Sequence, residues 1–524
     1  MRGLIVAALA IRVFAPLPGA ASAPGAEVRA LWVDGFHEGF RSAPEVEELV
    51  GNAKRVGFNT LFVQVRRRGD SLYTGGLEPA LDDPNYDPAF DGLAAVVEAG
   101  QRAGLKVHAW INAMPIWRDE APPRNPRHVF NQHGAGGTGP EAWLTRSREG
   151  AEKFSVGYFL DPGHPAVQEH LVNVYLDIAR RYAVDGIHFD YIRYPETEER
   201  LPRGSNVGYN ETSLARFQRA SGRTDVPAPD DEAWTDWRRL QVTELVRRIS
   251  IEVRALKPKI QVSAATIAWG KPPRSLDDFQ NVSPMQRIFQ NWQGWLVEGL
   301  LDMAVPMNYA REYDPMVRAW FNGWIAWEKR YKADRSLVVG IGAYLNTPQA
   351  VLAQVARVRM PAGRHRADGV SFFSYFRPAA SPLPEVPGEV PVNAQAPPDR
   401  LDFLAQGAQD MASAFAGPAP LPKMPWIEEP TRGFIAGSVA NDQGAGLDGA
   451  TVRVRRTGWF RSTHRIRTDG NGWFGMTRLK PGRYRVRLEP PDGDPKGEAV
   501  TVEVQAGRVT RIERPLARSP RSDP

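Results

Sequence analysis

The sequence predicts an α/β fold, a closed (β/α)8 barrel of the TIM type followed by a Pro-rich linker and a small antiparallel β-sandwich. Three observations carry that reading. Between residues 27 and 376 an amphipathic helix, a short turn often holding Gly or Asp, and an apolar β-rich run recur. The runs are EVRALWVDG, FNTLFVQVR, KVHAWINAM, DGIHFDYIR, IQVSAATIAW, LDMAVPMNY, LVVGIGAY and DGVSFFSYF. Apolar runs separated by helices imply parallel strands covered on both faces, and eight such units over about 350 residues suit a closed barrel with enlarged loops; a doubly wound open sheet is the alternative. After Phe376 comes RPAASPLPEVPGEVPVNAQAPPDR, whose prolines lack backbone donors and favour extended chain, so it cannot be a ninth unit. From Gly433 the short alternating segments IAGSV, ATVRVRR, HRIRT, WFGMTRL, RYRVRLE, VTVEV and RVTRIERP, with turns such as DGNG and KPG, predict the sandwich.

Taken in order, MRGLIVAALAIRVFAPLPGAASA has Arg2, an apolar stretch and then Ala21-Ser22-Ala23. This pattern predicts a secretory signal cleaved near Ala23 and an exported protein, because the stretch is shorter than the roughly 20 apolar residues a bilayer span needs and Arg12 interrupts it. The barrel is expected over 27–380. Ser42-Ala43-Pro44-Glu45 predicts a capping box opening its first helix, with Gly57 just past that helix and Gly104 just past the second. Residues 113–165 and 192–235, rich in Pro, Gly, Trp and charge, are expected as long loops over one mouth. A linker is expected over 381–432, with a short helix at 400–415, then the sandwich over 433–516 and a frayed tail over 517–524.

The chain has 524 residues, 42% hydrophobic and 24% charged, enough for more than one domain. With no Cys, disulfides, thiolate metal sites and cysteine nucleophiles are excluded. Net charge is +6, unevenly spread: from Gly433 onward 17 Lys and Arg stand against 10 Asp and Glu, and the part before it is near neutral. That asymmetry fits either a basic module contacting an anionic polymer or an ordinary solvated surface. No later stretch is long and apolar enough to span a membrane, and no nucleic-acid partner is expected of an exported chain.

The stretch VDGIHFDYIRYP, residues 184–195, begins as a buried strand and then turns polar at Asp190. Side chains at the C-terminal ends of barrel strands meet at one mouth, where chemistry is built. Strand alternation places His188 with Asp190, His108 with Trp110 and Asn112, and Gln64 with Arg66. Polar groups at period two in apolar runs are costly to bury, so a shared cavity is expected, against the reading that they are hydrogen-bonded barrel layers. Trp32, Tyr73, Trp110, Trp117, Tyr191, Tyr194, Trp269, Tyr309 and Tyr375 fall in or just after strands, as rings that stack on sugars would, although most aromatics are core. With Arg193 and Asn308 these make a glycan site the expectation, and no P-loop or GxGxxG follows a strand.

Glycosidic cleavage normally needs two carboxyl groups. Asp190 is the first, and Asp70, Asp34 and Glu312 are candidates for the second. As a general acid Asp190 needs burial to raise its pKa, whereas Arg193 nearby would lower it and favour a base or nucleophile. A 2-acetamido group on the substrate could itself be the nucleophile. A divalent metal on His108, His188 and Asp190 is the alternative chemistry, without HxH or HExxH spacing to support it. No cofactor is expected.

At these residues the chain resembles the glycosyl hydrolase-like 10 family. The matching segments are EVRALWVDGF, GFNTLFVQVRRRGDSLY, YDPAFDGLAAVVEAGQRAGLKVHAWINA, DGIHFDYIRYP, WRRLQVTELVRRI and LLDMAVPMNY. The resemblance covers about residues 27–380 and implies an exported bacterial barrel hydrolysing a cell-envelope glycan, such as peptidoglycan stripped of peptides or another aminosugar polymer. Where some members have Asp-Asp after the strand, this chain has Asp190-Tyr191. A catalytically silent glycan-binding scaffold on the same barrel is the rival. GSVANDQGAGLDGATVRVRR and TDGNGWFGMTRLKPGRYRVRLE resemble carboxypeptidase regulatory-like domains, which implies a module without catalysis that could dock on an anionic wall.

Overall fold

The computed structural model describes residues 25–197, 201, 203–376, 402–408, 411–441, 443–458, 462–489 and 499–513. The expected signal segment, residues 377–401 of the Pro-rich stretch and the tail beyond residue 513 lie outside the described residues. Eight parallel strands close a barrel, each hydrogen-bonded to its sequence neighbour and the last to the first. They are β1 (Val28–Val33), β2 (Thr60–Arg66), β3 (Lys106–Asn112), β4 (Gly186–Asp190), β5 (Gln261–Ile267), β6 (Met303–Met307), β7 (Ser336–Gly342) and β8 (Gly369–Phe373). Seven fall within one of the eight apolar runs and β7 starts one residue ahead of its run, at Ser336; the open-sheet alternative is excluded by the β1–β8 pairing. Residues such as Leu31, Val63, Ile111, Ile187 and Ile341 point outward into the helix layer, while Trp32, Phe62, Trp110, Val305 and Val338 fill the interior.

Helix α1 (Ala43–Val56) ends at Gly57, whose φ of 97° lets its N–H reach the carbonyls of Ala53 and Lys54. Its start differs from the expected capping box. Ser42 makes no side-chain cap, and the Glu45 carboxylate instead accepts from the N–H groups of Gly39 (2.7 Å) and Arg41 (2.9 Å), because the incoming loop folds over the helix end. Among the described residues no helix is long and apolar enough to cross a membrane.

The segment after the Pro-rich stretch is packed rather than free. Its helix is a single turn, Phe403–Gln406, shorter than the expected 400–415 because Gly407 interrupts it. The rest straps the N-terminal end of the barrel: Gly417 O accepts from the Arg29 guanidinium, Met424 enters the interior cluster with Val28, Met303 and Val338, and Trp426 Nε1 donates to Asp302 Oδ1 at 2.9 Å.

Among the described residues seven strands form the second domain. β12 (Trp473–Leu479), β9 (Gly433–Ser438) and β15 (Val509–Arg511) make one sheet, in that order. β11 (Thr463–Arg467), β10 (Thr451–Arg456), β13 (Gly482–Glu489) and β14 (Ala499–Val504) make the other. All pairs are antiparallel except β9 with β15. The three-stranded sheet packs on α2 (Glu232–Leu256), a barrel helix buried almost all round because barrel and sandwich cover opposite faces. Trp473 packs with Ile251 and Ala436 and donates to Glu252 Oε1 at 2.8 Å; Arg216 grips Asp448 through two bonds of 2.7 and 2.8 Å. The sandwich is therefore docked on the barrel through desolvated groups.

Candidate active site

All eight strand ends converge on one cavity of about 660 Å³ at the C-terminal mouth, within the size range of ligand pockets. Asp34 follows β1, Gln64 lies on β2, Asn112 ends β3, Asp190 ends β4, Trp269 follows β5, Asn308 and Tyr309 follow β6, Tyr344 follows β7, and Phe373 and Ser374 close the ring at β8. The loops add Phe36, His37 and Arg311, and helix α3 (Pro315–Tyr331) leans in with Trp320 and Trp324.

Asp190 sits at the foot of this cavity, only 5% exposed. Its Oδ1 accepts from the Tyr191 N–H at 2.7 Å and its Oδ2 from Trp110 Nε1 at 3.0 Å, a donor shared with Asn112 Oδ1 at 3.0 Å. Burial pushes the carboxyl up to about 6, against the opposing pull of the Tyr191 N–H, the Arg193 charge and the Trp110 N–H. Two forces foreseen in opposition are both present, and desolvation wins. The Arg193 guanidinium lies over the rings of Tyr191 (4.5 Å) and Trp269 (5.1 Å), which fixes it as part of the wall. Tyr191 takes a φ of 46°, a left-handed conformation uncommon for a bulky residue, held at a site where its N–H meets Asp190.

Asp34 is a second carboxyl on the same cavity. Its Oδ1 accepts from the Phe36 N–H (3.0 Å) and pairs with His37 Nδ1 (2.7 Å), and its Oδ2 accepts from Ser374 Oγ (3.3 Å). His37 is stacked on Phe376 with ring centroids 4.0 Å apart. Asn308 donates to both oxygens of Glu328 (3.1 and 2.9 Å), an acid that burial pushes up to about 8. That carboxyl holds Asn308 at the rim from behind.

The cavity gathers Trp32, Asp34, Gln64, Trp110, Asn112, Asp190, Tyr191, Arg193, Trp269, Asn308 and Tyr309 from the residues expected on sequence. Nine others lie elsewhere, among them Tyr73, packed on Tyr182, and Trp117, packed on His128. Asp70 accepts from the N–H groups of Arg67 (2.9 Å) and Arg68 (3.1 Å), closing its own turn. Glu312 is tied to Arg357 and Gln354 on the outer helix side. Arg66 is drawn away by a register irregularity after Gln64 and is buried against Glu78. His108 and His188 form an interior layer beneath the cavity, both bonded to Ser263 Oγ (3.0 and 2.9 Å), with His188 Nε2 accepting from Trp32 Nε1 at 3.0 Å. His188 thus sets the Trp32 ring from below with both nitrogens engaged, and no three His, Asp or Glu among the described residues are grouped to hold a metal ion. Tyr194 is fully buried, its hydroxyl toward Asp161 (3.4 Å), and Tyr375 turns outward to Asn52 (3.1 Å).

Sequence reasoning missed His37, Trp320, Trp324 and Tyr344. Trp320 and Trp324 stand at i, i+4 in AWFNGWIAW, a spacing that puts two indoles on one helix face and could have marked that face as turned toward the mouth.

The chain matches the family described as Glycosyl hydrolase-like 10 over residues 27–344, and the Carboxypeptidase regulatory-like domain over residues 435–515. It is similar to "Glycosyl hydrolase DigH" of Escherichia coli (strain K12), 26% identical over 294 residues that make up 51% of this chain and 59% of the relative. It is also similar to "Glycosyl hydrolase YngK" of Bacillus subtilis (strain 168), 22% identical over 298 residues, 53% of this chain and 52% of the relative. The chain thus spans between half and three fifths of the length of these curated relatives. Among solved structures it is similar to the PgaB (BpsB) glycoside hydrolase domain from Bordetella bronchiseptica, with a TM-score of 0.47 and 14% identity over 67% of this chain and 94% of that one. With the family matched across every strand from β1 to β7 and the carboxyl-bearing mouth intact, the chain belongs to the glycosyl hydrolase-like 10 family.

Proposed function

We propose that the protein is an exported hydrolase of O-glycosidic bonds in an aminosugar polymer of the bacterial envelope, peptidoglycan strands foremost. The observation that carries this is Asp190, a carboxyl raised to about 6 at the base of an aromatic-walled cavity. Protonated, it can give its proton to the leaving glycosidic oxygen as the C–O bond breaks. Asp34 supplies a second carboxyl to stabilise the positive charge growing on the sugar, or to orient a 2-acetamido group that attacks the anomeric carbon. Trp32, Trp110, Tyr191 and Trp269 give flat faces for sugar rings, and Gln64, Asn112 and Asn308 give hydroxyl and amide partners. The names of the relatives support glycoside hydrolysis, and the N-terminal pattern of Arg2, apolar run and Ala21-Ser22-Ala23 supports export.

Incubating the purified protein with peptide-free peptidoglycan strands and, separately, with poly-N-acetylglucosamine should release fragments one water heavier than the cleaved linkage, read by mass spectrometry. Binding to both polymers without any fragment would instead identify a glycan-binding scaffold.

A further inference from the structure

The four-stranded sheet of the sandwich faces away from the barrel, since β9, β12 and β15 of the other sheet make the contacts with α2. Its inner side is apolar: Val452, Val454, Tyr484, Val486 and Leu488 are buried. Strand alternation therefore turns Arg453, Arg455, Arg465, Arg467, Arg483, Arg485 and Arg487 outward. The pairing sets like charges side by side. Arg453 stands opposite both Arg465 and Arg487, and Arg455 stands opposite Arg485. Among the described residues the acids on this face are Glu489, which pairs with Arg465 at 2.7 Å and Arg453 at 3.6 Å, and Glu503, opposite Arg483. Like charges directly across strands destabilise a sheet, so folding alone does not account for seven arginines against two glutamates on one flat face.

We propose that this face is a docking surface for an acidic polysaccharide carrying a carboxylate on successive sugars. Guanidinium forks match carboxylates bidentately. Arg455 and Arg485 stand side by side on strands about 4.8 Å apart, a spacing close to the length of one sugar, so a chain laid across the strands meets cations on successive steps there. Among the described residues the outward positions between the arginines are Thr451, Thr463, Thr501 and Ala499, none of them a large apolar side chain that would enter a bilayer. Because the sandwich is docked on the barrel, a polymer held here keeps the barrel mouth at a fixed distance from it, which raises the local concentration of attached glycan. This inference is independent of the hydrolase reading.

The test is binding of the full chain to polygalacturonate, with neutral dextran of equal length and phosphatidylglycerol vesicles as the other arms. Polygalacturonate should bind at low salt and weaken by about tenfold or more on raising ionic strength from about 0.05 to 0.3 M, with dextran and vesicles unbound. Replacing Arg455, Arg467, Arg483 and Arg485 together by Gln should lower that affinity at least about tenfold, while the same charge removed at Arg180, Arg330, Arg364 and Arg366 on the barrel should change it by less than about twofold. Relief of repulsion should leave the melting temperature of the sandwich variant unchanged or higher, so lost binding cannot be ascribed to unfolding. Equal loss in both variants, equal binding of dextran, absence of polygalacturonate binding at low salt, or capture by vesicles in place of the polymer would each overturn the proposal.

Discussion

Asp190→Asn should lower turnover of a cleavable aminosugar polymer by about 10²- to 10⁴-fold, equivalent to roughly 3–5 kcal/mol of transition-state stabilisation, with substrate binding nearly unchanged. The amide keeps the acceptor oxygen for the Tyr191 or Trp110 N–H and fits the same space, so fold and sugar contacts survive while the transferable proton is lost. The pH dependence follows from the same group. A general acid acts while protonated, and burial raises Asp190 to about 6. In the wild type kcat/KM should hold below pH 6 and then fall about tenfold per pH unit above it, and the Asn variant should lack this limb. A variant that retains wild-type kcat would show that Asp190 serves only to hold the cavity wall.

Arg66→Ala should destabilise the protein by about 3–5 kcal/mol, although Arg66 itself does not line the cavity. Arg66 and Glu78 are 1% and 3% exposed and joined at 2.5 and 2.7 Å, with His170 adding a bond of 2.9 Å to Glu78. The same guanidinium holds the carbonyls of Asn112 and Ala113, and so the end of β3 beneath the site. Removing it leaves a carboxylate in a dry pocket and two carbonyls without their donor. Replacing Arg66 and Glu78 together by Met should recover most of the loss, since apolar side chains of similar volume often replace a buried pair at little cost. The sign with pH is set by Glu78. Burial opposes its charge, but Arg66 and His170 hold it down to about 2, below the usual carboxylate range. Its contribution is complete above about pH 4.5 and disappears as pH falls through about 2. The double Met variant should lose that part of the acid sensitivity in equilibrium unfolding. An Arg66→Ala protein as stable as wild type at pH 7 would contradict this role.

The eight strands were legible because an all-parallel barrel buries both faces of each strand, leaving apolar runs with a period that needs no tertiary information. Asp190 was legible because an acid at the end of such a run has nowhere to go but the mouth. The same rule over-collected His108 and His188. Side chains of one parity do face the barrel interior, but only those at the strand end reach the cavity, and the lower ones meet Ser263 in a closed layer. Arg66 was misplaced for a different reason: the register breaks between Gln64 and Arg66, so alternation stops there and the side chain swings to Glu78. Asp70 and Glu312 show the limit in loops, where a carboxylate is as readily consumed by its own turn or by a neighbouring Arg as presented to a ligand. His37 reaches the cavity through a loop path that no periodicity encodes, whereas Tyr344 ends the seventh apolar run and met the same strand-end criterion as Tyr309. The arginine comb of the sandwich was legible as charge, and its exposure on the far sheet follows from which sheet carries Trp473 to the barrel.

The protonation of Asp190 itself can be measured by infrared difference spectroscopy between wild type and Asp190→Asn across pH 3 to about 9, following the carboxylic C=O stretch that only the wild type carries at this position. Loss of that band with a midpoint near 6 is expected from a desolvated carboxyl at the foot of the cavity. A midpoint near the ordinary aspartate value of about 3.9 would mean that Asp190 is already ionised under working conditions and cannot be the proton donor.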